Sequence, residues 1–230
     1  MNRVFACLLV LIVVGIQVRS IEAQEDFLVS NNVVKDYDGN VYETVLIGSQ
    51  VWLSENLRSE RFQDGSKIDT AFIPDDDSSK LSAHGRLYSW HDVADRRNIC
   101  PVGWRVATDE DWKALERAIG LDEDEVDDKG WRGDGAALSL KANQSKSIFD
   151  RFDSSIVNQV KFNARPSGIK WKRWYFAQGM YSEFWTGSSA TENKAYNRTL
   201  AYSWWSPQKG KIYRSALSKD YMFSVRCIKE

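Results

Sequence analysis

Histidine is scarce in this chain, with His84 and His91 the only two in 230 residues. Six residues separate them, which is not the His-x-x-x-His spacing of one helical face, and two imidazoles cannot complete a facial triad without a placed carboxylate. That pattern disfavours metal-dependent oxidation. A surplus of positive charge is also missing: 31 Lys and Arg stand against 32 Asp and Glu, so there is no electrostatic footprint for nucleic acid. No Gly-x-Ser-x-Gly elbow occurs, and a serine triad would have to take its base from one of the two histidines. Proline numbers four, and no Pro/Ser/Gly-rich linker interrupts the chain after about Val33, so a single core is expected for the roughly 205 residues of the mature chain. The one long apolar run, Val4 to Val18, is too short for a comfortable membrane span and has no stop-transfer sequel.

That run has another reading. Arg3 supplies a positive n-region, Val4 to Val18 an apolar h-region, and Ile21-Glu22-Ala23 ends in a small residue, so residues 1–23 read as a secretory signal cleaved near Ala23. Residues 24–33 then form a linker and 34–230 the domain, with no membrane span in the mature chain. Cys7 leaves with the signal, because a lipidated cysteine would stand at the end of the apolar run. The remaining pair, Cys100 and Cys227, favours a disulfide in an oxidising compartment. Closing 127 residues, it would contribute on the order of 4–5 kcal/mol through chain entropy. Two buried free thiols are the alternative.

Aromatics are abundant, with ten Trp, nine Tyr and ten Phe. This many rings must fill an irregular core, form an exposed stacking surface, or both. Asp36-Tyr37-Asp38-Gly39-Asn40 sits between β-prone runs and signals a hairpin turn, and Phe62 to Ile68 repeats the run-turn-run pattern. Pro74 to Ser82 reads as a surface loop, and Gly85 to Trp90 as an aromatic-rich segment that begins a helix running to about Ala94. In the clearest helix, Thr108 caps with Asp111 three residues on, while Trp112, Leu115, Ala118 and Ile119 form an apolar stripe that Gly120 ends. Asp122 to Lys129 is an exposed acidic run, and Ala136 to Ala142 suits a short helix or strand. From Phe162 onward the chain reads as strands and turns, over Phe162–Gly168, Trp174–Phe176, Ser182–Ser188, Ala195–Ser203 and Met222–Ile228. Strands at both ends with helices between them indicate an α+β domain, not a wound α/β sheet.

Taken in order, several segments resemble the Fibrobacter succinogenes major paralogous domain, found in secreted or surface proteins of bacteria. They are Asp36 to Tyr42, Gln50-Val51-Trp52-Leu53-Ser54-Glu55-Asn56-Leu57, Gly85-Arg86-Leu87-Tyr88-Ser89-Trp90, Ile99-Cys100-Pro101-Val102-Gly103-Trp104-Arg105-Val106-Ala107-Thr108, Phe162-Asn163-Ala164 with Gly168, Phe184-Trp185-Thr186 and Ser224 to Lys229. The resemblance runs from about Val34 to Lys229. It extends more distantly to the C-type-lectin-like fold in its formylglycine-generating-enzyme variant, where an Arg-Leu-Pro-Thr-x-x-Glu-Trp segment corresponds to Arg105 through Trp112. The fold expected is therefore a single C-type-lectin-like domain of short antiparallel strands, about two helices and long loops.

The fold relatives that oxidise cysteine hold copper on a close thiolate pair, whereas Cys100 and Cys227 are accounted for structurally. Calcium is weakly suggested by Asp36-x-Asp38-Gly39-Asn40, but an EF-hand's later ligands are missing and a hairpin turn is preferred. The Glu-Pro-Asn, Gln-Pro-Asp and Trp-Asn-Asp tripeptides of calcium-dependent lectins do not occur, so no cofactor is expected. Asn143 and Asn197 match the glycosylation acceptor pattern, which in a bacterial protein is usually unmodified. What remains is recognition through aromatics. Trp131, Trp171, Trp174, Tyr175, Tyr202, Trp204, Trp205 and Tyr213 lie beside Lys, Arg, Ser and Gly, as in loops that stack on sugar faces or on a protein partner. Trp52, Trp104, Trp112 and Trp185 sit inside fold-defining motifs and are expected to be structural. The expectation is a secreted or cell-surface, non-catalytic module that binds carbohydrate or a surface protein. The alternatives are an oxidase-like or carboxylate-based enzyme and a structural cell-envelope component.

Overall fold

A computed structural model describes residues 33–142, 156–202, 206–208 and 210–230. Trp204, Trp205, Asn143, the expected signal and the expected linker up to residue 32 lie outside the described residues. Contacts group the chain into Met1–Val34 and Lys35–Glu230, and the second unit carries the fold.

Three antiparallel sheets build it. The first has five strands in the order β1-β2-β3-β13-β5, with β1 at Val33–Lys35, β2 at Val41–Ile47, β3 at Gln50–Leu53, β5 at Trp104–Val106 and β13 at Cys227–Lys229. The second runs β6-β11-β10-β9, from Gly130–Arg132, Ile212–Ser218, Lys194–Ala201 and Tyr181–Thr191 respectively. The third runs β4-β12-β7-β8, from Tyr88–Ser89, Tyr221–Phe223, Ile169–Trp171 and Trp174–Phe176 respectively. Four α-helices are described: α1 (Leu81–His84), α2 (Trp90–Val93), α3 (Asp109–Ala118) and α4 (Ala136–Leu140). The expectation of an α+β fold is met, with two more short helices than anticipated. The supposed loop at Pro74–Ser82 contains two 3-10 turns, Pro74–Asp76 and Ser78–Lys80, and runs into α1.

The expected strand over Met222–Ile228 is two strands that serve different sheets. β12 pairs with β4 and β7, and β13 with β3 and β5. Between them Ser224 bridges Phe184 of β9, its carbonyl accepting the Trp185 N–H and its own N–H donating to the Glu183 carbonyl. One extended segment thus ties all three sheets together. Cys227 is bonded to Cys100 across 127 residues, fixing that segment to the loop before β5. The expected pairing is present.

Local rules explain the well-read elements. Thr108 Oγ1 accepts the Asp111 N–H while Asp111 takes the Thr108 N–H at 2.7 Å, a full capping box that contributes about 1 kcal/mol. At the Asp38-Gly39 turn the Asp36 carboxylate accepts from the Asn40 N–H, the Tyr42 hydroxyl and the Ser59 hydroxyl. Gly85 is required by a close approach: at φ +69° a Cβ would stand 2.6 Å from that of Asn56 and 2.8 Å from the Leu57 carbonyl oxygen.

The core centres on four rings that meet mostly edge to face. Trp52 lies 5.5 Å from Trp112 and 5.7 Å from Phe162, and Trp112 lies 5.3 Å from Phe184. The fully buried Arg226 guanidinium sits 4.2 Å over the Phe162 ring. It donates to Asn56 Oδ1 and to the carbonyls of Leu53, Phe162 and Asn163. Burial pulls its pKa down to about 9.

The stripe expected on α3 needs one correction. Trp112 and Leu115 are buried, but Ala118 is exposed, and the buried face also carries Asp109, Lys113 and Glu116. Arg198 of β10 donates to Glu116 at 2.6 Å and to Asp109 at 2.7 Å. Arg214 of β11 binds Asp109, and Arg132 of β6 binds Glu116. Burial pushes the Asp109 carboxyl up, but the Arg214 and Arg198 contacts outweigh it and hold it below its ordinary value. The helix is fastened to the second sheet by charge as well as by rings, which is why hydrophobic periodicity alone misplaced its inner face.

Candidate functional site

The third sheet positions the most exposed aromatic group. β7 and β8 form a hairpin in which Trp171 pairs directly with Trp174 and Ile169 with Phe176. Tyr221 of β12 pairs with Trp171 on the other side. Directly paired residues share a face, and so do residues two apart on a strand. Trp174, Trp171, Tyr221, Phe176 and Ile169 therefore occupy one face of the ladder. Trp174 is 57% exposed, Phe176 43% and Trp171 37%. With Met180, they account for four of the nine exposed large apolar side chains among the described residues, so exposed apolar surface is concentrated here.

The row is anchored at its inner end. Trp171 and Tyr221 are 6.3 Å apart, Tyr221 stacks on Phe223 at 5.8 Å, and Phe223 lies 4.3 Å from Trp185. Phe223 and Trp185 are fully buried. A chain of rings thus leads from the core to solvent, which fixes the outer rings without burying them. At the tip, Lys172 Nζ lies 4.6 Å from the Trp171 ring centre and the Arg173 guanidinium 4.8 Å from that of Trp174. Both cations are exposed, and such contacts contribute roughly 0.5–1 kcal/mol each. Lys172 holds a left-handed backbone at φ +52°, a strained choice for a residue other than glycine.

Tyr175 belongs to the opposite face. Its hydroxyl donates to Asp76 at 2.5 Å and its ring receives Lys170 at 4.1 Å. Burial and the Asp76 contact push its phenol well up. Tyr175 therefore clamps the hairpin to the Pro74–Asp76 turn. Trp131 and Tyr213 form a separate half-buried pair, 4.9 Å apart on adjacent strands of the second sheet. Tyr202 corrects its expected role: at 2% exposure, with its hydroxyl donating to the Ala164 carbonyl, it is a core residue unable to offer a ring face to a ligand. Of the six expected aromatics among the described residues, Trp171 and Trp174 share the exposed row; Tyr221 and Phe176 join it unforeseen. The signal for Phe176 is pairing across the two-residue Lys172-Arg173 turn, whereas Tyr221 is placed by the pairing of β12 with β7.

The other chemical groups are placed plainly. His84 ends α1, half-buried, and His91 is exposed on α2. Ser167, 3.5 Å from His84 Nδ1, is buried, and its hydroxyl also meets the His84 and Arg165 carbonyls. Asp38 accepts from the Glu60 and Arg61 amides and from the Arg61 guanidinium. Among the described residues no three His, Cys, Asp or Glu side chains converge as a metal site, and no helix is long and apolar enough to cross a membrane. Asn197 is fully buried, its amide donating to Glu183 and its carbonyl oxygen accepting from Ser215.

Glu183 is a buried carboxyl without a cationic partner among the described residues. Burial raises its pKa to about 8, against the opposing hydrogen bonds from Thr199 and Asn197. It lies on β9 two residues before Trp185, the inner end of the aromatic row.

In class this is a mixed α+β domain closed by a disulfide between its last strand and its middle. The chain belongs to the Fibrobacter succinogenes major domain family, whose model matches residues 45–229. No curated protein and no solved structure gave a match.

Proposed function

We propose that this chain is a secreted or cell-surface, non-catalytic binding module that recognises carbohydrate through the aromatic row of the third sheet. The observation that carries the reading is the register of Trp174, Trp171 and Tyr221 on one face, with the first two exposed. Rings held side by side on a rigid ladder offer flat apolar faces to sugar C–H groups, while the polar tip residues can meet hydroxyls. Secretion is supported by the N-terminal signal pattern and by a disulfide that joins two fold-defining motifs. A C-type-lectin-like arrangement is supported by the last strand lying between β3 and β5 and being bonded to Cys100. The reading invokes no cofactor and no nucleic acid.

The test is retention of the protein on a panel of soluble and insoluble polysaccharides, repeated with Trp171→Ala and Trp174→Ala. Loss of about tenfold in affinity per ring is expected, since stacking contributes roughly 0.5–1.5 kcal/mol beyond area burial. Retention unchanged in both variants would overturn the reading. If every polysaccharide fails and the row instead captures a protein, the carbohydrate assignment is wrong.

A further inference from the structure

The segment that follows β3 lines a second feature, a polar cleft of about 250 Å³. Its lining includes Glu43 of β2, Ser54, Glu55, Asn56, Ser82 of α1, Asn163 and Arg165. The size suits one monosaccharide unit and falls short of a drug-sized ligand. Ala83 is the only apolar residue lining it among the described residues, so it offers no slot for the side chain of an amino acid.

Two groups in this wall lack partners. Ser54 is buried, and its hydroxyl has no hydrogen-bond partner among the described residues. Buried hydroxyls are normally satisfied, and an orphan in a cleft wall marks a place where a ligand can supply the missing bond. Arg165 is half-buried, and its guanidinium makes no hydrogen bond or ion pair among the described residues. Glu55, by contrast, is engaged by Arg58. The amide of Asn56 is committed to His84, Ser167, Ser224 and Arg226, so Asn56 shapes the wall and has no donor to spare. The Arg165 end is cationic: after burial, Arg165 and Lys80 are the main groups that hold the His84 imidazole below its ordinary value. The lining also carries the Glu43 and Glu55 carboxylates. A cleft lined by serine hydroxyls, with a guanidinium fork that makes no hydrogen bond or ion pair among the described residues, matches a ligand that has one carboxylate and several hydroxyls.

We infer that the cleft is a subsite for a hexuronic acid residue, with Arg165 taking the carboxylate and Ser54, Ser82 and Glu43 meeting ring hydroxyls. The choice of ligand class rests on the carbohydrate reading of the aromatic row; the cleft itself does not. Glucuronate, galacturonate, glucose and glycine are titrated into the full chain by heteronuclear NMR. Uronates should shift the amides near Ser54–Asn56 and Arg165 and bind at least tenfold tighter than glucose. Arg165→Gln should erase that preference. Ser54→Ala should keep the melting temperature, because the hydroxyl has no partner to lose, and weaken uronate binding severalfold. Equal binding of uronate and glucose, tighter binding of glycine, or an Arg165→Gln variant with its preference intact would each overturn the assignment. The two sites are separable. A uronate blank with polysaccharide retention intact removes the cleft alone, and uronate binding without polysaccharide retention removes the aromatic row alone.

Discussion

Trp112 and Trp174 are the same side chain put to opposite uses. Trp112 meets Trp52, Phe162 and Phe184 beneath the first two sheets and is fully buried. Trp174 stands at the outer end of a row whose inner members, Phe223 and Trp185, are buried. What separates them is position on a periodic element. Trp112 lies on the inner stripe of α3, whereas Trp174 sits beside a two-residue turn on the outward face of an edge hairpin. A ring in the first setting contributes to stability, and a ring in the second contributes contact surface.

The widest gap between the two regions should appear in unfolding. Trp112→Ala removes a ring touching three others and should cost about 3–5 kcal/mol in denaturant titration. A loss below about 1 kcal/mol would mean that the ring cluster is not the centre of the core. Glu116→Ala attacks the same helix by charge: it leaves Arg132 without a carboxylate partner in the interior and Arg198 with Asp109 alone, and should cost about 3–5 kcal/mol, because a buried cation loses its counter-ion. Replacing Cys100 and Cys227 together by Ala should cost about 2–5 kcal/mol, read as a lower unfolding midpoint.

Glu183 sharpens the comparison at the base of the row. Unfolded, its carboxyl ionises near 4.5; folded, near 8. Between those values the native state keeps a proton that the unfolded state has released, so stability falls as pH rises from about 4.5 to about 8 and then levels off. Glu183→Gln should flatten that slope and be more stable than the parent at pH 8 by on the order of 3 kcal/mol. A parallel pH profile in the two proteins would show that Glu183 ionises normally.

The parts legible in the sequence are those governed by local rules. The Thr108–Asp111 cap, the Asp38-Gly39 turn, the paired cysteines and the structural roles of Trp52, Trp112 and Trp185 all follow from residues close in the chain or from the compartment they imply. What escaped depends on distant partners. Glu116 occupies an inner helical position that is tolerable only because Arg132 and Arg198 arrive from other strands. Tyr202 neighbours Ser203 and two tryptophans in sequence, yet neighbours in sequence do not set exposure; the Ala164 carbonyl that takes its hydroxyl is 38 residues away. Tyr221 went unnoticed because its place beside Trp171 is fixed by pairing between β12 and β7. The cleft was likewise invisible, since Ser54 and Arg165 meet only after folding.

The most direct measurement is polysaccharide affinity and thermal unfolding on the same preparation of Trp174→Ala. The account predicts a melting temperature within about 2 °C of the parent, as expected for an exposed position, together with a loss of about tenfold in affinity. A large drop in melting temperature with binding preserved would contradict it, and would move Trp174 from the recognition surface to the core.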